Sequence, residues 1–350
     1  MISHLGDYFE FFVITRNTDY CLDEPYQSVK SNSWNKIDQN TNVYYISNDS
    51  LSIKNLKKIV NGLDSNVLMV NGIYSWYFSI LPVLLFSKKM QLIVSARGML
   101  NPQAFSIKAK RKRFFLKVSN LIGLYKKVSF HATNKMEANF IKEKINAYKD
   151  IKIASNLPRK IIQSFSTSTE KSNPVRFISV GRVSVEKGTL KTINAFKGVN
   201  SEIIFDIFGP IYNEDYWRKC KEAIIQLPKN VVVNYKGVLE SDEVLKTLSY
   251  YDFFILFSEG ENFGHVILEA LSVGLPVIIS DKTPWESLEK KNIGWDLNTD
   301  NDEKVMDIIK QAISLGDESY SKMARSAQNF AIEFSNKPEL IEQNKNLFKD

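Results

Sequence analysis

Residues 258–280 read SEGENFGHVILEALSVGLPVIIS, and the rest of the chain is organised around them. The stretch predicts a loop holding Glu261, a helix beginning near Gly264, a stop at Gly274 and Pro276, and a buried strand over 277–279. The first amides of a helix have no intrahelical acceptor, so they can bind an anion. Glu261 sits in the loop just before those amides. Glu269, with seven residues between it and Glu261, falls about a turn and a half into the helix at roughly 3.6 residues per turn. Amides for a phosphate and two carboxylates for hydroxyls form a combination that suits a nucleotide sugar. The plainer alternative is a capped amphipathic helix with two solvated acids. A structural cap needs only one Asp, Ser or Thr, whereas here a Gly and an aromatic flank the acid in the ENFGH run.

On either side of this stretch, strand-like and helix-like segments alternate. Apolar strands are expected at 177–180, 203–208, 231–235, 253–257 and 277–279, with helices around 190–196, 216–225, 243–248 and 266–271. An earlier series has strands at 9–16, 43–46, 67–70, 91–95, 128–132 and 151–154, and a polar stretch without helical periodicity at 17–40. Repeated strand–helix units with apolar strands imply parallel sheets covered on both faces. The Ser/Thr-rich run QSFSTSTEKSNP at 163–174 breaks the alternation and reads as a linker. The fold class expected is α/β, with two doubly wound Rossmann-like domains facing a cleft, over 1–165 and 174–329. A tail helix over 330–350 joins the first domain.

Ligands of open α/β sheets collect at the carboxyl ends of the strands. SVGR at 179–182 ends one strand and VSVEKG at 183–188 leads into a helix, so Gly181, Arg182 and Lys187 lie where a diphosphate would sit. Two cations and a helix N-terminus can neutralise it without a metal.

GRVSVEKG followed by EGENFGHVILEALSVGLPVI resembles family 4 of the retaining glycosyltransferases, which have the GT-B fold and occur in bacterial surface-polysaccharide biosynthesis. The likeness covers the second domain and, more loosely, 71–158. It implies that Arg182 and Lys187 bind the donor diphosphate and that Glu261 holds donor-sugar hydroxyls beside the backbone of Phe263, Gly264, His265 and Val266. It also implies that Glu269 binds the ribose and that Val238 and Leu239 lie near the base. Arg97, at a strand's carboxyl end, is a candidate for acceptor phosphate. The reaction implied is retaining and needs no metal or cofactor, with a UDP- or GDP-sugar as substrate. In the family a strand and a Gly-rich loop open the first domain. Only eight residues precede FEFFVITR here, so either the start lies upstream or a central strand is missing. A donor-binding partner without turnover is therefore an alternative, and a sugar-nucleotide epimerase is a further one.

Composition narrows the remaining classes. Two cysteines, Cys21 and Cys220, and three histidines share no metal-ligand spacing, which argues for a reducing compartment. No signal peptide is visible at 1–6, and the apolar run 76–86 is too short to span a bilayer, so a cytoplasmic protein is expected. Asp300-Asn301-Asp302 has the form of a D-x-D metal motif but reads as a loop outside any expected strand end. Residues 1–165 carry 24 Lys and Arg against 11 Asp and Glu, and the remainder 22 against 28. The basic charge concentrates in SIKAKRKRFFLK, where Phe114, Phe115 and Leu116 could touch an anionic membrane at the inner face of the cell membrane. A solvated helix face is the alternative. No nucleic-acid-binding motif accompanies the patch. The partners expected are a nucleotide sugar and a glycan acceptor carried on a lipid.

Overall fold

A computed structural model describes residues 1–19, 23–106, 109–160 and 170–349, and for residues 103 and 106 the backbone alone. Cys21, Lys108 and most of the expected linker at 163–174 lie outside the described residues. The chain forms two compact units, one of Met1–Leu157 with Pro338–Asp350 and one of Pro158–Lys337.

The first unit contains β1 (Phe11–Arg16), β2 (Trp34–Asp38), β3 (Thr41–Ile46), β4 (Val67–Asn71), β5 (Gln91–Ser95), β6 (Val128–Ala132) and β7 (Asp150–Ile153). The second contains β8 (Val175–Val180), β9 (Ile203–Phe208), β10 (Val231–Tyr235), β11 (Phe253–Leu256), β12 (Val277–Ser280) and β13 (Gly294–Leu297). Its six strands form one parallel sheet in the order β10-β9-β8-β11-β12-β13. β11 and β12 are buried throughout, as expected of continuous apolar runs covered on both faces. β10, an outer strand, is mostly half-buried or exposed. One face carries Phe177, Phe196, Phe205 and Trp295, the other Ile178, Leu256, Ile267 and Ile279. Each such side chain contributes about 1.5–3 kcal/mol by burial. β13 escaped the sequence reading because its four residues, GWDL, include a glycine and an acid.

The chain builds outward from β8 to β9 and β10, then crosses to β11 on β8's other side. The order therefore reverses between β8 and β11. A crevice at the carboxyl edge of a parallel sheet forms at such a switch point. Gly209 closes the edge next to it. Its φ is +138°, and a Cβ there would stand 2.0 Å from the Gly181 carbonyl oxygen. Only glycine lets the turns after β8 and β9 approach so closely.

In the first unit, β4-β5-β6-β7 form a parallel sheet. β1, β3 and β2 form a second sheet, with β1 parallel and β2 antiparallel to β3. The polar stretch at 17–40, which has no helical periodicity, contains β2, held to β3 by ladder bonds and by Trp34 edge-on to Tyr44. Among the described residues, β1 pairs only with β3, and β4 only with β5, so no strand lies between them. Half-buried Ile14 packs against both the cluster under β4–β6 and the cluster around Ile46. The tail packs on this unit: Leu347 is buried against Ile93 and Ala154, and Phe348 contacts the rings of Phe9 and Phe11.

The basic helix spans Ala109–Leu121. Of the three apolar residues expected to face a membrane, Leu116 is buried and Phe115 packs inward, edge-on to Tyr74 at 5.5 Å. Only Phe114 points outward. The helix must bury one stripe against the sheet, and 3.6-residue spacing gives Leu116 to the core. Among the described residues no helix is long and apolar enough to cross a membrane.

Candidate functional site

At the switch point the loop after β11 is stitched to the loops after β8 and β12. The Glu259 amide donates to the Glu186 carbonyl at 2.8 Å, and the Glu261 amide to the Lys282 carbonyl at 3.2 Å. Gly188, with φ +65°, starts the helix Thr189–Asn194, and a Cβ there would lie 1.9 Å from the Phe257 carbonyl oxygen. This glycine lets the helix seat directly on the end of β11. The seating brings Lys187 across to Glu261. The Lys187 ammonium donates to the Glu261 carboxylate at 2.6 Å, and both side chains are largely buried. The aliphatic stem of Lys187 also runs beside Gly181. Gly181 and Lys187 therefore share one corner with Glu261, which lies 74 residues beyond Lys187 in the chain.

Arg182 is exposed just after β8. The Glu186 carboxyl is held below the ordinary carboxylate range, first by a bond from its own amide and the Ser184 hydroxyl, then by the charges of Arg182 and Lys187. The two cations thus flank one short loop.

Gly264, at φ +75°, opens the helix His265–Ser272, and no side chain caps it. Phe263 is buried, with Trp285 edge-on to its ring and the Trp285 indole donating to its carbonyl. His265 lies against the Phe263 ring at 4.6 Å, and Val266 is half-buried behind it. The loop before the helix is therefore clamped by aromatic packing. Its backbone geometry is set before any ligand arrives.

Glu269 lies a turn further on, in a recess lined by Arg159, Leu245, His265, Leu268 and Ser272. Burial raises its carboxyl above the ordinary range, and Arg159 opposes that shift. Arg159 donates to the Ser241 backbone carbonyl. Nothing in the local sequence marks Arg159, which lies more than 100 positions from Glu269. Val238 is exposed beyond β10, and Leu239 packs on the second core face. The turn holding them is tied down where the Gly209 amide meets the Gly237 carbonyl at 2.7 Å.

A ring of alternating charge borders the corner. Lys191 lies 2.6 Å from Asp300 and 3.7 Å from Glu259, and Lys282 lies 2.7 Å from Glu259 and 3.6 Å from Asp300. Asp300, read from sequence as outside any strand end, follows β13 closely, and its carboxylate is engaged by two lysines. Asn301 beside it caps the helix Asp302–Ser314. Among the described residues no group of His, Cys, Asp or Glu is arranged to hold a metal ion.

Arg97 belongs to the first unit, at the end of β5. Its φ is +50°, unusual for a side chain of this size. Its guanidinium donates to Asn71 at 3.1 Å and to Asn156 at 2.8 Å, joining the ends of β4 and β7. Buried Glu137 supports the turn by accepting from the Gly98 amide at 2.6 Å and from the Thr133 amide and hydroxyl at 2.7 Å. His131 is fully buried. One ring nitrogen faces the Ala154 carbonyl at 2.8 Å and the other the Ser95 hydroxyl at 3.0 Å. A carbonyl only accepts, so Nε2 carries the proton.

Residues 161–330 match the family model described as glycosyl transferases group 1. The match supports a glycosyltransferase. The chain is 36% identical over 103 residues to the sulfoquinovosyl transferase SQD2 of Arabidopsis thaliana, a match covering 29% of this chain and 18% of that protein's length. Among solved structures it is similar to sucrose-phosphate synthase from Thermosynechococcus elongatus, with TM-score 0.70, 15% identity and coverage of 98% of this chain and 89% of that one. It is also similar to Anabaena HepE in complex with UDP and glucose, with TM-score 0.64, 15% identity and coverage of 87% and 85%. A third similar structure is a point mutant of S. aureus TarM in complex with fondaparinux, alpha-GlcNAc-glycerol and UDP, with TM-score 0.63, 16% identity and coverage of 85% and 58%. At such identities the likeness is one of fold. Both units are Rossmann-like α/β domains of the GT-B type.

Proposed function

We propose that this protein transfers a sugar from a nucleotide-sugar donor to a glycan acceptor, with retention at the anomeric carbon and without a metal. The observation that carries this reading is the Lys187–Glu261 pair, held at the switch point of the second sheet beside an uncapped helix N-terminus. A buried cation joined to a carboxylate matches a ligand that puts a phosphate next to hydroxyls. In the proposed complex Lys187 and Arg182 take the donor diphosphate, Glu261 and the backbone from Phe263 to Val266 take the sugar, and Glu269 takes the ribose. UDP in the HepE and TarM complexes supports a UDP-type donor.

The acceptor oxygen then bonds to the anomeric carbon on the face from which the diphosphate leaves. The bond from that carbon to the phosphate oxygen breaks, and the acceptor's proton passes to the departing phosphate. Catalysis rests on positioning and on stabilising the leaving charge. Arg97, fixed by two neutral amides rather than a carboxylate, suits an anionic group on the acceptor, as a lipid diphosphate would present. Assembly of a surface polysaccharide, such as a capsule or O-antigen, at the inner face of the cell membrane fits such an acceptor.

One observation favours a second reading. Among the described residues β1 and β4 are each paired on one side only, and in this reading the first unit no longer supports turnover while the second still binds donor.

The deciding experiment is calorimetric titration of the chain with UDP, GDP and ADP in the presence of EDTA. The proposal expects one nucleotide to bind, and Arg182→Ala to abolish binding. No binding by any of the three would overturn it. Binding without transfer from the matching nucleotide sugar to any glycan acceptor would favour the second reading.

A further inference from the structure

The helix Ala109–Leu121 turns an apolar stripe away from its own core. Its inward side holds Leu116 and Ser119, both buried, and Lys112, whose ammonium lies over the Tyr74 ring. Phe114, Val118, Leu121 and Ile122 recur at i, i+4, i+7 and i+8, which is one helical face. Ile122 belongs to it because its amide still bonds the Val118 carbonyl at 3.0 Å. This face is opposite the buried one: Phe114 is 71% exposed, Leu121 84% and Ile122 61%. A helix lying on a globular core ordinarily presents polar groups there. Single exposed apolar residues are common, but a contiguous stripe marks a contact surface.

Charge identifies what the stripe meets. Lys110, Arg111, Arg113 and Lys117 are exposed around it. From Asp64 to Glu137 the chain contains no acidic residue, while twelve Lys and Arg fall in that interval. A basic field around an apolar ridge complements an anionic lipid surface, where rings and aliphatic groups enter the headgroup boundary and cations stay among the phosphates. A second copy docked stripe to stripe would oppose these cations to one another.

We infer that the outward face of Ala109–Leu121, extended by Ile122, is a peripheral docking surface for an anionic bilayer. The surface differs from the one expected from sequence: Phe115 and Leu116 leave it, and Val118, Leu121 and Ile122 join it. It does not depend on the donor site, which lies in the other unit.

The test is co-sedimentation of the full chain with vesicles of phosphatidylcholine alone and of phosphatidylcholine with phosphatidylglycerol. The chain should bind the mixed vesicles, bind the neutral ones far less, and be released by salt. Phe114→Ser with Leu121→Ser should weaken binding about tenfold or more through lost apolar insertion. Arg111→Glu with Lys117→Glu should do so through charge, at about fivefold per cation removed. Both pairs are exposed, so melting temperature and UDP affinity should stay as in the wild type. No binding to mixed vesicles would overturn the inference, as would equal binding by both double variants. It would also fail if the wild type self-associated through the stripe, or bound an acidic protein there, without binding vesicles.

Discussion

At the residue scale the Lys187–Glu261 pair is the sharpest feature. Each partner satisfies the other in a largely buried corner, so replacing one leaves the other with a buried charge. Lys187→Ala should weaken UDP binding about tenfold or more, given about 1.5–3 kcal/mol for a bond to a charged group. Calorimetry of both proteins checks this, and equal affinities would remove Lys187 from the donor site. Glu261→Gln should lower turnover more than donor affinity, because in the proposed complex its charge acts on the sugar and not on the diphosphate. Glu269 adds a pH signature. Its carboxyl titrates above the ordinary value of 4.5 because it is buried, and only the ionised form accepts hydrogen bonds at both oxygens. Nucleotide affinity should therefore begin to fall while the pH is still above 4.5, and Glu269→Gln should lack that step.

At the scale of elements, the turn after β5 is held by buried groups on its neighbours. Glu137 is almost wholly buried, and its carboxylate satisfies amides on two loops. Glu137→Ala should cost about 3 kcal/mol by orphaning those donors, read by urea denaturation. His131 supplies a second, pH-dependent effect on the same sheet. Burial lowers its pKa from 6.5, so the unfolded chain takes up a proton that the folded chain resists. Between the lowered value and 6.5 the unfolded state binds more protons, and stability falls as the pH drops through that window. His131→Gln should remove this part of the acid sensitivity of the first unit. In the second unit, Gly209→Ala should cost about 2–3 kcal/mol, since a side chain there meets backbone that has no room to move.

At the scale of the whole molecule, the chain visits the second unit and returns. Residues 338–350 end on the first unit, with Leu340 and Leu347 buried there and Lys152 donating to the carbonyls of Asn346 and Leu347. Deleting them should destabilise the first unit by about 4 kcal/mol for two buried leucines, while UDP affinity, a property of the second unit, should persist. A thermal melt of the truncated chain with and without UDP reads both outcomes. A drop in UDP affinity equal to that of Lys187→Ala would mean the tail shapes the donor site as well.

Local chemistry alone determined the strand–helix alternation, the apolar central strands and the glycine-opened helix at 264–265. Apolar runs, turn residues and unpaired helix amides act over only a few neighbours. For the same reason the cluster of Arg182, Lys187 and Glu261 was legible: each follows a strand, and a parallel sheet brings its strands' carboxyl ends to one edge. The sequence could not show β2, β13, Arg159, the ring of Lys191, Glu259, Lys282 and Asp300, or which residues of the basic helix face outward. Each of these depends on partners distant in the chain. Short strands exist because a neighbour pairs with them, and charges form a ring only once three loops converge. A helix has an inside only after the sheet has chosen the stripe it covers, and that choice sent Leu116 into the core and left Leu121 in water.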